Sequence, residues 1–439
     1  MALRLQSELT NGSEVFVATL RGTPSRYFTL VDVGAARVPK APRSRAVPPA
    51  EVWLIARSGS WPDSHLRTRL LLWRRCKAAD LRSLDMPNRT CVGRAHRDLP
   101  SKFNAYKNGN SERCVEKQTC PMSIEFRAGI HLPHNAAWLA VDGRVLGVAG
   151  MFRKRLRNWL TQPAAPGAFA FNASGWQEME YLASVTGVPI SGKSFSGGSD
   201  TSITTPILRG DHPGCVERRV DFADAGCEFD GRFSMASTAD GVVYVYARAN
   251  LDPHAGGRHV QVARGPSLAQ LGQFHLIEID GEPTWPERPA WQLYFGAVKA
   301  NPADGGRSLI GLFPVSHNTS SKRDAFIGLA ISCDGVHFSP WLRAAESDLS
   351  QDGERTIDHP VDGLVSRGAL VHFFVQRDVP GITPRPGSPR AAHRHGRLVQ
   401  KTVHLKSLRA FTDDVKRSSR WCAPKSKSRR HNPRSVGLR

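Results

Sequence analysis

Residues 241–249 read G-V-V-Y-V-Y-A-R-A, a run of β-branched and aromatic residues whose side chains alternate along the chain. Ala-Asp-Gly leads into it and Asn-Leu-Asp-Pro leaves it. Both are turn formers, so the run is a strand of limited length. R-H-V-Q-V-A-R over 258–264 supplies another short strand, and C-E-F-D-G-R-F-S over 227–234 precedes the pair. The segment 214–264 is therefore a set of consecutive strands with a polar group, Cys227, Glu228, Asp230 and Arg232, gathered where they begin.

The same rhythm recurs. Alternating apolar residues flank Val141-Asp142-Gly143-Arg144, and Asp-Gly is a strong tight-turn signal, so residues 130–150 form a hairpin. Further strands are expected over 291–299, 308–315, 325–332, 369–376 and 398–405, with another over 179–186 before a Gly/Ser-rich loop at 191–200. Residues 15–20, 28–33 and 51–56 are strand candidates nearer the N-terminus. They are interrupted by A-R-V-P-K-A-P-R-S-R-A-V-P-P, which reads as a linker. Leucines over 66–84 have helical spacing among many arginines and read as a solvated amphipathic helix or an irregular lead-in. V-Q-V-A-R-G-P-S-L-A-Q-L-G-Q-F from Val260 lines up with I-G-L-A-I-S-C-D-G-V-H-F-S-P-W from Ile327. Each is an apolar strand, a turn and an aromatic. That internal repeat favours a β-propeller of four or five units over 123–410, with a β-sandwich as the alternative. Residues 1–122 read as an irregular extension, and 411–439 as a disordered basic tail.

With 439 residues and 40% hydrophobic content the chain can build a sizeable core. No apolar run approaches the roughly 20 residues of a membrane helix, and no signal-peptide core is readable at the N-terminus. More than half of the net charge of +21 lies beyond Gly387, which weakens the case for a polyanion-binding fold and confines any such contact to the tail. No nucleic-acid recognition motif accompanies that tail. The eight cysteines include no C-x-x-C and no zinc-like spacing. Cys114/Cys120 and Cys215/Cys227 are close enough to close short disulfide loops, with buried reduced thiols as the alternative. Sequons at Asn11, Asn88, Asn172 and Asn318 lean slightly towards a secreted or lumenal setting.

The runs P-H-N-A-A-W-L-A-V-D-G-R, C-E-F-D-G-R-F-S, R-H-V-Q-V-A-R and A-I-S-C-D-G-V-H-F-S-P-W together resemble the five-bladed β-propeller glycosidases of the arabinanase, invertase and levansucrase superfamily. The likeness spans residues 125–410 and is one of rhythm more than of strict motif. It implies an all-β five-bladed propeller in which acidic residues from three blades perform hydrolysis at a central funnel. The S-x-D-G-x-x-F turn (Ser332, Asp334, Gly335, Phe338) is common across propellers and marks the fold. The chain departs from the pattern on the first inner strand, where His134 and Asn135 stand in place of a carboxylate. Asparagine can act neither as general base nor as carboxylate nucleophile.

Glycoside hydrolysis needs one protonated and one ionised carboxyl group across the scissile bond. Asp230, with Glu217 or Glu228, meets that need if all face the funnel, and Asp358 is the candidate from the last blade. The plainer reading of Asp230 is a turn residue paired with its neighbouring arginine. His134, Asn135, Trp138, Arg232, Arg248, His359 and Asp362 are the candidate substrate contacts. Trp138 could stack on a sugar face, although core packing is the commoner use of such a position. No metal site and no cofactor are expected. The sequence thus points to a glycoside hydrolase-like protein acting on a poly- or oligosaccharide. The alternative is a non-catalytic propeller that binds glycans or proteins.

Overall fold

The computed structural model describes residues 2–12, 14–19, 26–32, 51–58, 69–77, 122–124, 135–141, 144–150, 188–189, 232–250, 258–267, 270–282, 291–318, 323–353, 355–379, 382–388 and 396–422. Helix α1 (Ala2–Asn11) leads into β1 (Val15–Thr19), β2 (Arg26–Asp32), β3 (Glu51–Ser58), β4 (Arg69–Lys77) and β5 (Met122–Ile124). Then come β6 (Asn135–Val141), β7 (Arg144–Gly150), β8 (Val188–Pro189), β9 (Ser234–Ser237), β10 (Val243–Asn250), β11 (Arg258–Gly265) and β12 (His275–Leu276). They are followed by β13 (Glu278–Ile279), β14 (Trp291–Leu293), β15 (Ala297–Ala300), β16 (Leu309–Asn318), β17 (Arg323–Ser332), β18 (His337–Phe338) and β19 (Leu342–Ser347). The described chain ends with β20 (His359–Arg367), β21 (Leu370–Arg377), β22 (Arg397–His404) and helix α2 (Leu405–Ser418).

These strands pair mostly with their sequence neighbours, antiparallel. β2-β3-β4-β5, β6-β7-β8 and β9-β10-β11-β12 are consecutive meanders, and β15-β16-β17-β19 is another once the short β18 is set aside. The last meander, β20-β21-β22, takes β1 as its outer strand, so the N-terminal strand closes on the C-terminal sheet. β2, β6, β9, β15 and β20, the first strand of each group, touch in that order, and β20 returns to touch β2. The repeat seen in the sequence falls on equivalent places, since β11 and β17 are each the third strand of their meander.

Apolar residues between the layers hold this arrangement. Tyr246, Val260, Leu293, Phe313, Phe326 and Phe338 pack in one core between the β9 and β15 groups. Leu5, Leu9, Ile327, Leu329, Phe373, Leu408 and Phe411 form a second core, joining both helices to the β17 and β21 faces. Each fully buried side chain of this size stabilises the fold by about 1.5–3 kcal/mol.

Several expectations are corrected here. The extension 1–122 is not irregular throughout, because it supplies α1, the four strands β1 to β4 and the first residue of β5, with all five strands in one eight-stranded sheet. Residues 69–77 are β4, paired with β3 from Glu51↔Lys77 to Ser58↔Arg69, and not a helix. Short apolar runs look alike in either state, and here the neighbouring strand decides. Residues 291–299 are two strands, β14 and β15, both paired with β16. The tail is ordered to residue 422: Leu408, Phe411, Thr412 and Val415 make a buried stripe at helical spacing on α2. Beyond α2, Cys422 forms a disulfide with Cys333. Lys406, Arg409, Lys416 and Arg417 take other positions on that helix, while the basic run 425–439 lies outside the described residues. The strand expected over 179–186, the loop over 191–200 and both short disulfide pairs lie outside the described residues.

The turn after β17 is held by its own side chains. The Asp334 carboxylate accepts the backbone N–H groups of Val336 and His337 and the His337 ring Nδ1–H at 2.7 Å. The Ser332 hydroxyl oxygen accepts the Gly335 N–H, and the Tyr246 hydroxyl donates to the Gly335 carbonyl. Burial alone would raise the Asp334 pKa, but the hydrogen bonds from His337 and Val336 outweigh it and hold the group below its ordinary value. The stability it contributes is present above its unfolded pKa and is lost as pH falls through the lower folded value. Urea midpoints should therefore drop below about pH 4, and less steeply in Asp334→Asn. Equal acid slopes in the two proteins would contradict this assignment.

β20 carries an irregularity that positions the site. Pro360 pairs with Val375 and Leu364 with Phe373, so β20 holds two more residues than β21 over that interval. Gly363, inside the bulge, has φ 137°, and a Cβ there would lie 2.1 Å from the Leu30 carbonyl oxygen. Gly363→Ala should cost about 2 kcal/mol or more in chemical denaturation. An unchanged midpoint would contradict the close approach of β20 to β2.

Candidate functional site

The leading ends of β9, β15 and β20 meet. Arg232, two residues ahead of β9, donates from Nη1 to the Pro360 carbonyl at 2.7 Å and from Nη2 to the Thr29 hydroxyl at 3.3 Å. Its guanidinium carbon lies 5.1 Å from the Phe295 ring centroid. The His359 ring meets Phe295 edge-on at 5.1 Å and lies 5.2 Å from the ring of Tyr294. Arg248, from β10, stands 5.2 Å from that tyrosine ring. Arginine over an aromatic face is favourable for the cation and keeps the edge of the guanidinium open to hydrogen bonding. Arg232, Arg248 and His359, which the sequence singled out separately, thus form one arginine–aromatic floor, and all three are buried.

Beneath this floor lies a charged centre. Asp362 is fully buried on the β20 bulge. One of its oxygens accepts the Ser234 hydroxyl at 2.5 Å, and the other accepts Lys299 Nζ at 2.9 Å. Lys299 also donates to the Met235 carbonyl, and the Ser234 oxygen accepts the Val298 N–H. The group therefore ties β9, β15 and β20 together, while Thr29↔Asp362 adds a parallel link to β2. Burial holds the Lys299 ammonium below the ordinary lysine value, and Asp362 offsets part of that shift.

Asp358 belongs to a separate network. One of its oxygens accepts Arg377 Nη1 at 2.7 Å and the other accepts the Asp378 backbone N–H at 2.9 Å. Arg377 also pairs with Glu14, just before β1, and donates to the Glu346 carbonyl. Burial opposes the Arg377 charge, but Asp358 and then Glu14 outweigh it and raise its pKa. This network fastens the N-terminal strand to the last sheet. Asp378 has φ 54°, a conformation that aspartate tolerates better than most residues.

Glu217, Glu228, Asp230 and His134 lie outside the described residues. Asn135 and Trp138 are placed as backbone positions on β6, paired with Gly150 and Gly147. Sequence reasoning missed Tyr294, Phe295, Ser234, Lys299 and Thr29. Of these, Lys299, a lone charge in the strand A-V-K-A, was the readable signal. Among the described residues no group of three or more His, Cys, Asp or Glu side chains could hold a metal ion. No described helix is long and apolar enough to cross a membrane.

No protein-family model matches the chain, and no curated protein matches it in sequence. Solved structures give low-identity likenesses that include β-propeller glycoside hydrolases. A glycoside hydrolase is similar at 11% identity and TM-score 0.38, covering 92% of this chain and 95% of its own. The α-L-arabinanase of Penicillium chrysogenum complexed with arabinobiose is similar at 8% identity and TM-score 0.38, covering 90% and 98%. An N-acetylgalactosamine deacetylase from F. plautii, in complex with blood group B trisaccharide, is similar at 10% identity and TM-score 0.37, covering 88% and 91%. At these TM-scores the likeness carries no weight for the fold or chemistry of this chain.

The central cluster makes a direct prediction. Asp362→Asn leaves a buried lysine without its counter-charge and should cost about 3–5 kcal/mol. Adding Lys299→Met should restore a substantial part, as read from denaturation midpoints in a double-mutant cycle. Strictly additive losses would mean the two side chains do not act as a pair.

Proposed function

We propose that the strand groups are the blades of a five-bladed β-propeller, and that the chain is a carbohydrate-active, glycoside hydrolase-like protein. The closed order of contacts among β2, β6, β9, β15 and β20 supports five blades, and β1 on β22 supplies the closure. The meeting of Arg232, Phe295 and His359 at the leading ends of three inner strands carries the functional reading. It gathers donors and aromatic rings at the end of the inner strands where a sugar-binding funnel would open.

In this reading Asp230 is the ionised carboxylate, two residues before the fixed Arg232, and Glu217 or Glu228 is the protonated partner. Arg232, Arg248 and His359 orient the substrate, with His134, Asn135 and Trp138 on the neighbouring blade. Asp358 and Asp362 hold the frame, since each is already committed to an ion pair. That commitment also favours the second reading, a propeller that binds glycans or proteins without cleaving them. It removes Asp358, one of the four candidate acids for hydrolysis.

Reducing-sugar release from neutral, uronic and sulfated polysaccharides separates the two. Release by the wild type, falling by about 10³-fold or more in Asp230→Ala, is the expected result for loss of a carboxylate nucleophile or base. Glycan binding without release would establish the non-catalytic reading in its place.

A further inference from the structure

Three arginines converge on one tyrosine at the edge of the site. The Arg248 guanidinium lies 5.2 Å from the Tyr294 ring centroid and that of Arg258 lies 5.5 Å from it. Arg355 is electrostatically coupled to the same tyrosine and pairs with Asp352 at 2.5 Å. The His359 ring lies 5.2 Å from the tyrosine ring. Arg248 and Tyr294 are buried, while Arg258 and Arg355 are half-exposed, so the cluster runs from the floor out to its rim.

The charge of this cluster is one-sided. Arginine donates hydrogen bonds and never accepts them, and it stays protonated at every accessible pH. A neutral sugar presents hydroxyls that both donate and accept, and sites for such sugars mix donors with acceptors. Three guanidinium groups against one carboxylate leave the cluster with excess positive charge, which matches an anionic ligand, while the Tyr294 hydroxyl and His359 ring can also accept. Each guanidinium carries five N–H donors, so partners within the protein and a bound anion are served together. The planar fork matches a carboxylate through two parallel hydrogen bonds.

We propose that this face recognises a glycan bearing a carboxylate, a uronic acid residue, with Arg258 and Arg355 holding the anion beside Tyr294 and Arg248 supplying charge beneath. The inference rests on the carbohydrate reading above and names its substrate class. Cleavage is not required for it, because recognition alone places the carboxylate.

The test is calorimetric binding of trigalacturonate to the full chain, against its fully methyl-esterified counterpart and a sulfated galactose trisaccharide of equal length. The free acid should bind at least about tenfold more tightly than the ester, the effect of one charge-assisted contact. Its affinity should weaken with added salt. In Arg258→Gln and Arg355→Gln, each checked for an unchanged melting temperature, that preference should shrink towards one. Equal or tighter binding of the ester, or a preference for the sulfated sugar, overturns the uronate proposal and leaves the carbohydrate reading standing. Loss of melting temperature in both variants with the acid preference intact also overturns it, because the arginines are then structural. Binding of none of the three sugars overturns the proposal together with the reading it rests on.

Discussion

A carboxylate with no access to water must be neutralised where it stands, and Asp362 is such a group at the meeting point of three strands. Its two oxygens take a hydroxyl from β9 and an ammonium from β15, while its own backbone sits on the β20 bulge. Breaking any one of these contacts leaves a buried polar atom uncompensated. The strands that carry them are therefore fixed to one another near their leading ends. Everything above this point, the Arg232 fork, the Phe295 face and the His359 ring, inherits its position from that fixation.

The opposite ends of the strands are held by different means. The Asp334 turn, the Cys333–Cys422 disulfide and the stacking of His337 on Trp421 at 3.5 Å secure the end of β17 to the segment after α2. Helices α1 and α2 bury their apolar faces against the sheets, with Glu8 hydrogen-bonded to Ser407 between them. One end of the strand array is thus closed by turn chemistry and helices. The other gathers arginines and aromatic rings, most of them buried.

Strand rhythm was legible in the sequence because period-two alternation and Asp-Gly turns are local. The hairpin at Asn135–Val141 and Arg144–Gly150, the strand Val243–Asn250 and the Asp334 turn all follow from residues within a few positions of one another. The N-terminal strands were harder to organise because their partners are remote: β1 pairs with β22, at the far end of the chain. Helix α2 was hidden by its charge, since a basic composition suggests disorder until the stripe from Leu408 to Val415 is read separately. Arg232, Arg248, His359 and Asp362 stood out as polar residues at strand ends. Their partition into an arginine–aromatic layer and a charged centre depends on Ser234 and Lys299, which lie 128 and 63 positions from Asp362.

The central claim is that the leading ends of the inner strands form a glycan-binding mouth. Hydrogen–deuterium exchange of the full chain, with and without a mixture of neutral and uronic oligosaccharides, tests it most directly. The account predicts slowed exchange at the amides of residues 232–234, 294–297, 359 and 361, with the Asp334 turn unaffected. Protection confined to residues 332–338 and 419–422, or no change at either end, would contradict it.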